Sequence, residues 1–136
     1  MKNILVILFC CTLFQCSSND VTADSPEATV IGRWNLDGFQ GNVMYEFTEN
    51  KRYTLYSSDG IFESVQDLID SGRVGNDWWY EGNQITVDLN FGNFSTLTPT
   101  FKCQNNVIVW TTVSDAFHGT YFREGYDFNT CSESRT

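Results

Sequence analysis

The chain has 136 residues and a formal net charge of −9 at pH 7, from 8 basic and 17 acidic side chains. This balance excludes a nucleic-acid-binding protein, because such proteins need a basic surface that displaces the counterions of the phosphate backbone. About 105 residues remain once the N-terminal segments described below are set aside, which is close to the commonest size of a single domain.

A short apolar segment opens the chain. Lys2 precedes an unbroken apolar run over residues 4–11, and polar residues take over from Gln15. This is the layout of a secretory signal peptide, and the run is shorter than the about 20 residues that a transmembrane helix needs. We therefore predict export of the chain, with residues 1–15 as the signal peptide.

Cys16 lies at the end of this segment, in a motif of its own. Leu13-Phe14-Gln15-Cys16 resembles the lipobox of bacterial lipoproteins, in which Leu precedes by three residues a Cys that receives lipid and becomes the new N-terminus. The resemblance implies that lipid on Cys16 anchors the protein in a membrane, since each buried methylene contributes about 0.8 kcal/mol. Gln15 departs from the family, which usually has Gly, Ala or Ser there. A plain signal peptide and an uncleaved anchor therefore stay open.

A polar segment follows Cys16. Residues 16–28 are small, polar and acidic, and they include Pro26 but no aromatic side chain. Such a composition buries too little apolar surface to offset its ordering entropy, so we predict a flexible tether. Ser and acidic residues directly after the Cys also resemble signals that send some lipoproteins to the cell surface. These resemblances imply a location in the cell envelope, at the outer membrane or cell surface of a Gram-negative bacterium.

The remainder, residues 29–136, reads as one all-β domain. Short runs rich in Val, Ile, Thr, Phe, Tyr and Trp alternate with Gly, Asn and Asp, which is typical of antiparallel strands joined by tight turns. The predicted strands cover residues 30–36, 43–48, 52–57, 77–81, 84–90, 94–103, 107–113 and 119–124.

Only the third-to-fourth strand connection is long. Its apolar residues Ile61, Val65, Leu68 and Ile69 recur at helical spacing, which predicts one short helix ending near Gly72. Such a helix could cap an open end of the sheet or fill a gap, and the spacing of its apolar residues is compatible with both roles. Eight up-and-down strands avoid exposed edges by closing, so the predicted fold is a small antiparallel β-barrel.

The first and last predicted strands carry a family resemblance. Gly32-Arg33-Trp34 resembles the G-x-W signature of lipocalins, and the stretch VMYEFTENKRYTLY that follows resembles a hairpin of bacterial lipocalin-like domains. The resemblance covers residues 30–126 and implies that Arg123 packs across Trp34. It also implies a carrier of a small hydrophobic ligand. Lipocalins usually carry a helix after the last strand, whereas only YDFNTCSESRT follows here, which favours a smaller barrel, either closed or partly open.

Period-two alternation predicts the inward-facing residues, because successive side chains of a strand point to opposite faces. The expected inward set is Trp34, Leu36, Val43, Tyr45, Phe47, Tyr53, Leu55, Trp78, Tyr80, Ile85, Val87, Leu89, Val107 and Val109. Among these we expect ligand contacts from Tyr45, Phe47, Tyr53, Leu55, Trp78 and Tyr80, whose large apolar bodies suit an acyl or flat ligand. The alternative is a barrel filled by its own side chains.

Cys103 and Cys131 remain in the domain, and export places them in an oxidising compartment, so we predict that they form a disulfide. A zinc site is not expected, because these two residues and the distant His118 supply too few ligands. Ser114, Asp115 and His118 share one loop without the geometry of a catalytic triad. We therefore expect neither an enzyme nor a cofactor.

The sequence is compatible with two functions. The first is an envelope-anchored binder of a small hydrophobic molecule. The second is an interaction module, in which a filled barrel presents its loops to another envelope protein as an inhibitor or assembly factor. An internal cavity favours the first function, whereas an exposed apolar patch favours the second.

Overall fold

The computed structural model describes residues 28–132, in which eight antiparallel strands form a closed barrel. The strands are β1 (Gly32–Leu36), β2 (Val43–Phe47), β3 (Lys51–Tyr56), β4 (Asn76–Glu81), β5 (Gln84–Asp88), β6 (Phe94–Lys102), β7 (Val107–Thr112) and β8 (Phe117–Arg123). Each strand pairs with its neighbours in sequence, and β1 pairs with β8 to close the barrel. The predicted fold class is confirmed. The predicted signal peptide, Cys16 and nearly all of the predicted tether lie outside the described residues.

The two ends of the barrel differ in their connections. One end, called the capped end, contains the start of β1, the end of β8 and the short turns β2–β3, β4–β5 and β6–β7. The other end, called the open end, contains the connections at residues 37–42, 57–75, 89–93 and 113–116. Chain direction alone dictates this arrangement, because consecutive antiparallel strands alternate between the two ends.

The barrel interior near the capped end is filled with large apolar side chains. This cluster of buried residues comprises Val30, Trp34, Phe47, Trp78, Ile85, Val87, Ile108 and Trp110. Phe47 and Trp78 meet edge to face, with ring centroids 5.6 Å apart. Burial on this scale supplies the main stabilisation of a small domain, since each fully buried large apolar side chain contributes about 1.5 to 3 kcal/mol.

Helix α1 (Val65–Asp70) lies in the long β3–β4 connection, where the sequence predicts a helix. It begins with a capping box, in which the Ser64 hydroxyl accepts from the backbone of Asp67 and the Asp67 carboxylate accepts from the backbone of Ser64. Leu68 is buried against Met44 and Leu55, which point away from the barrel interior. The helix therefore covers the outer face of β2 and β3 instead of capping the open end.

The C-terminal segment packs against the outside of β7 and β8 through a disulfide. Cys103 and Cys131 are bonded, with Cα atoms 5.7 Å apart, so the predicted disulfide is confirmed. Cys131 is buried with Val107 and Phe122, and the Phe122 ring stacks on Phe128 at a centroid distance of 5.0 Å. The bond thus fixes the chain after β8 to the β6–β7 turn. Over residues 28–132, no helix has the length and apolar character to cross a membrane.

Candidate functional site

The capped end is closed by the predicted pair of Trp34 and Arg123. The Arg123 guanidinium lies over the Trp34 ring, 4.4 Å from its centroid, as the G-x-W resemblance implied. Its nitrogens donate to the backbone oxygens of Thr29 at 3.1 Å, Ile31 at 3.3 Å and Asn105 at 3.1 Å. Trp34 is fully buried and donates from Nε1 to the Val30 oxygen at 2.7 Å. These bonds tie the segment before β1 to the end of β8 and to the β6–β7 turn across this end of the barrel.

A cavity of about 240 Å³ lies inside the barrel, and the buried cluster forms part of its wall. Side chains from strands β2, β3, β5, β6, β7 and β8 line it, and they are Tyr45, Phe47, Arg52, Ile85, Val87, Leu89, Ser95, Leu97, Trp110, His118 and Tyr121. Leu89 and His118 are exposed and lie next to the loops of the open end. The barrel is therefore filled towards its capped end and hollow towards its open end.

Two of the six predicted ligand contacts, Tyr45 and Phe47, lie in this wall. The inward assignment of Tyr53 and Leu55 is wrong. Register pairs Tyr45 with Thr54, which places Thr54 inside and turns Tyr53 and Leu55 to the outer face. There they pack under helix α1 with Met44. The apolar face of β3 points outward because the helix, and not the barrel interior, buries it.

The other two predicted contacts lie away from the cavity wall. Trp78 is buried in the filled half, where its Nε1 donates to the Thr48 oxygen at 3.0 Å. Tyr80 follows two residues later on the same face, but it is 49% exposed and packs on the Trp78 ring. Strand β4 pairs with β3 only at Asn76 and Asp77, so its second half lacks a paired strand on that side. Neither residue lines the cavity.

Strand β7 also faces the opposite way to the prediction. Ile108 and Trp110 point into the barrel, whereas Val107 packs with Cys131 on the outside. The sequence VIVWTT is apolar on both faces, so alternation alone does not fix its phase. The structure thereby adds Trp110 to the cavity wall. Its Nε1 is buried and has no hydrogen-bond partner among the described residues.

Arg52 brings a positive charge into the wall, and the sequence analysis missed it. It pairs with Phe47 across β2 and β3 and therefore faces inward. Its guanidinium lies 4.6 Å from the centroid of the Tyr45 ring, and Nη2 donates to Asn76 Oδ1 at 3.4 Å. Its Nε is buried without a partner in residues 28–132. The available signal was the register of the β2–β3 hairpin, in which a turn of known length places Arg52 opposite an inward Phe47.

The Tyr45 ring, which contacts the Arg52 guanidinium on one side, also packs against Tyr121. The ring centroids of Tyr45 and Tyr121 are 5.4 Å apart, and Tyr121 also packs on Trp110 at 5.5 Å. Burial raises the pKa of the Tyr121 hydroxyl well above its usual value, Tyr45 adds to the rise and Arg52 opposes it. A phenol is already neutral at physiological pH, and the rise, to which a hydrogen bond with Tyr45 also contributes, keeps the Tyr121 hydroxyl protonated in more alkaline solution as well.

The residues considered for catalysis or metal binding are not gathered into one site. His118 lies at the cavity wall, whereas the Ser114 hydroxyl is exposed and lies 3.0 Å from that of Thr112. Over the described part of the chain, no three His, Cys, Asp or Glu side chains are grouped to hold a metal ion.

The open end also displays apolar side chains to solvent. Among those in its loops and strand ends are Phe39, Leu89, Phe91, Val113 and Phe117. Phe91 is 100% exposed at the tip of the β5–β6 turn, where its φ of 55° is unusual for a bulky residue. This set of five residues is called the apolar rim below.

No protein-family model, curated protein or solved structure matches the chain.

Proposed function

We propose that the protein is a lipid-anchored protein of the cell envelope that binds a small hydrophobic ligand in the open half of its barrel. The observation that carries this proposal is the cavity of about 240 Å³ beside the apolar rim. Its floor is formed by apolar and aromatic side chains such as Ile85, Val87 and Trp110. A concave, mostly apolar site with a few polar groups is the usual form of a small-molecule site.

The size of the cavity limits the ligand. Pockets for drug-sized molecules measure about 300 to 1,000 Å³, and this cavity of about 240 Å³ is smaller. A ligand with a chain of about eight carbons, or with a single ring, is therefore a better candidate than a retinoid or haem. A longer chain has to extend past His118 and Leu89 into solvent.

The envelope location rests on the N-terminal sequence. Lys2, the apolar run and Leu13 with Cys16 support export followed by lipidation. The lipid-modified Cys16 then holds the barrel at a membrane surface through the acidic segment that follows. The G-x-W resemblance supports the carrier function, together with the Arg123 side chain over Trp34.

Titration with 1-octanol tests the binding proposal. We expect saturable binding at one site per chain, with a change in Trp fluorescence because Trp110 lines the cavity. Ser95→Phe places a ring in the cavity and should abolish binding. Thr100→Phe makes the same type of change on the exposed face of the same strand, and it should bind normally. Absence of saturable binding to the folded wild-type protein would count against a carrier.

A second candidate function, the interaction module, is favoured by the apolar rim. Exposed aromatic side chains grouped at one end of a barrel are a common feature of protein contact surfaces. A photo-crosslinking residue at position 91 should then join one envelope protein in living cells. The same residue at Asn83, in a turn of the capped end, serves as the control. Equal labelling from both positions would exclude a specific partner at the rim.

A further inference from the structure

Arg52 is a cation inside a barrel that supplies no counter-charge to it. Among residues 28–132, the side chains that line the cavity include no carboxylate. Three other cations of this region, Arg33, Lys51 and Arg73, each pair with an Asp or Glu on the surface. Arg52 forms no ion pair in this region, although it is held in place by Tyr45 and Asn76.

The hydrogen-bonding capacity of Arg52 is largely unused. A guanidinium has five N–H donors in a planar fork. One nitrogen, Nη2, donates to Asn76 at 3.4 Å, while Nε is buried without a partner. Arg52 is half-buried, so it loses part of its hydration, which hydrogen bonds or an opposite charge have to replace. A bound ligand is the group that can supply both.

Two other polar groups of the wall, on Tyr121 and Trp110, can donate hydrogen bonds to an anion. The Tyr121 hydroxyl lies in the cavity wall, and a protonated phenol can donate to an anion. Trp110 Nε1 is a donor only, and it has no partner among the described residues. The interior therefore presents donors and a positive charge at one side, and apolar side chains such as Val87 and Leu97 at another.

We propose that the ligand is an anionic amphiphile, whose acidic head group pairs with Arg52 and whose apolar tail packs on Ile85, Val87 and Leu97. This inference rests on the proposed function, because it assigns a chemical class to the ligand of the same cavity. A carboxylate suits the site, since its two oxygens match the fork of a guanidinium and accept from a phenol or an indole N–H.

The negative net charge of the protein makes a comparison of anionic, neutral and cationic probes informative. At −9 the chain repels anions and attracts cations at long range. A preference for an anionic ligand therefore has to come from local groups. We compare three probes with the same eight-carbon tail, namely octanoate, 1-octanol and octylamine, by calorimetric titration of protein produced from the full chain at pH 7.

Octanoate should bind about 10- to 100-fold more tightly than 1-octanol, as expected for hydrogen bonds to a charged group, and octylamine should bind least. Arg52→Gln should remove this preference, because it should weaken octanoate binding far more than 1-octanol binding. Lys51→Gln is the matched control, because it removes the same charge from the adjacent residue, which faces outward and pairs with Asp77. It should keep the preference.

The outcomes separate the two proposals. Equal affinity for octanoate and 1-octanol would overturn the anionic ligand and leave the carrier intact. A preference that survives Arg52→Gln would overturn the role of Arg52. Binding of none of the three probes would overturn the carrier itself, and this inference with it. If Arg52→Gln does not fold, Arg52→Lys retains the charge without the planar fork, and an octanoate preference undiminished in that variant would overturn bidentate pairing.

Discussion

A Cβ atom on Gly32 would lie 3.0 Å from Nη1 of Arg123. Two constraints meet at this glycine, because its φ of +121° is also one that other residues rarely adopt. The glycine of the G-x-W motif therefore allows the guanidinium to reach the Trp34 ring, which lies 4.4 Å away. The motif and the last strand form one structural unit.

Substitution of Gly32 should therefore lower the free energy of unfolding by more than backbone strain alone explains. Gly32→Ala should lower the free energy of unfolding by about 3 kcal/mol, since both the strained φ and the displaced guanidinium contribute. Gly38→Ala is the matched control, because its φ is +83° with nothing within 4 Å of an added Cβ. It should cost about 1 to 2 kcal/mol. Equal costs in urea unfolding would show that the Arg123 contact contributes nothing.

The two faces of the sheet should respond differently to truncation. Leu55→Ala removes a fully buried side chain beneath helix α1, and it should cost about 2 to 5 kcal/mol without changing ligand affinity. Leu97→Ala enlarges the cavity and should change octanoate affinity. Its cost in stability should be smaller than that of Leu55→Ala, because one side of Leu97 already faces the cavity. Thermal unfolding and calorimetric titration of both variants provide the measurements.

Loss of the disulfide should destabilise the protein without opening the barrel. Cys103 and Cys131 are separated by 28 residues, and closure of such a loop contributes about 3 to 4 kcal/mol in the chain-entropy estimate. The double variant Cys103→Ser with Cys131→Ser should lose about this free energy of unfolding and still bind ligand. Alkylation of the unfolded, unreduced wild-type protein should label neither cysteine; two labelled thiols would contradict the bond.

Glu46 should make stability depend on pH. Burial raises the pKa of its carboxyl above the ordinary 4.5, although Arg33 lowers it, and Glu124 adds to the rise. Because the folded state then holds this proton more tightly than the unfolded chain, the contribution of Glu46 is fully favourable below about pH 4 and declines as pH rises through the raised pKa.

Glu46→Gln removes this titration. From pH 4 to pH 7, its free energy of unfolding should therefore increase relative to that of the wild-type protein. Glu49→Gln, at an exposed position in the β2–β3 turn, is the control. Urea unfolding at the two pH values measures the difference, and a constant offset for Glu46→Gln would refute the titration.

Lipidation is tested by Cys16→Ala. The variant should move from the detergent phase to the aqueous phase on extraction of cells, because no acyl chains are then attached. Cys10→Ala, within the apolar run of the predicted signal peptide, should partition like the wild-type protein. Unchanged membrane partition of Cys16→Ala would contradict the anchor.

The strands and their order follow from local sequence alone. Turn residues such as Gly82 and Asn83 mark where the chain reverses, and all eight observed strands begin and end within two residues of the predicted bounds. Closure was predictable because eight paired neighbours otherwise leave two exposed edges. The placement of Arg123 across Trp34 came instead from the resemblance to the G-x-W signature of lipocalins.

The wall of the cavity was only partly predictable, for a physical reason. Alternation identifies the more apolar face of a strand, but it does not tell which side of the barrel buries that face. Helix α1 buries the outside of β3, and the C-terminal segment buries the outside of β7 at Val107. Tyr53 and Leu55 were therefore assigned to the wrong side, and Arg52 was overlooked because charged residues are seldom buried.

The ladder between β3 and β4 is short. Only Lys51 and Arg52 find partners in β4, whereas β2 and β3 pair along five residues. Amide protons at this seam should exchange with deuterium through small local openings that leave the rest of the barrel intact, because few hydrogen bonds have to break. Arg52 lies at the last rung, next to the cavity. An opening there would widen the route into the interior at the charged group, so a bound anion should slow exchange at Arg52 more than at the β6–β7 ladder.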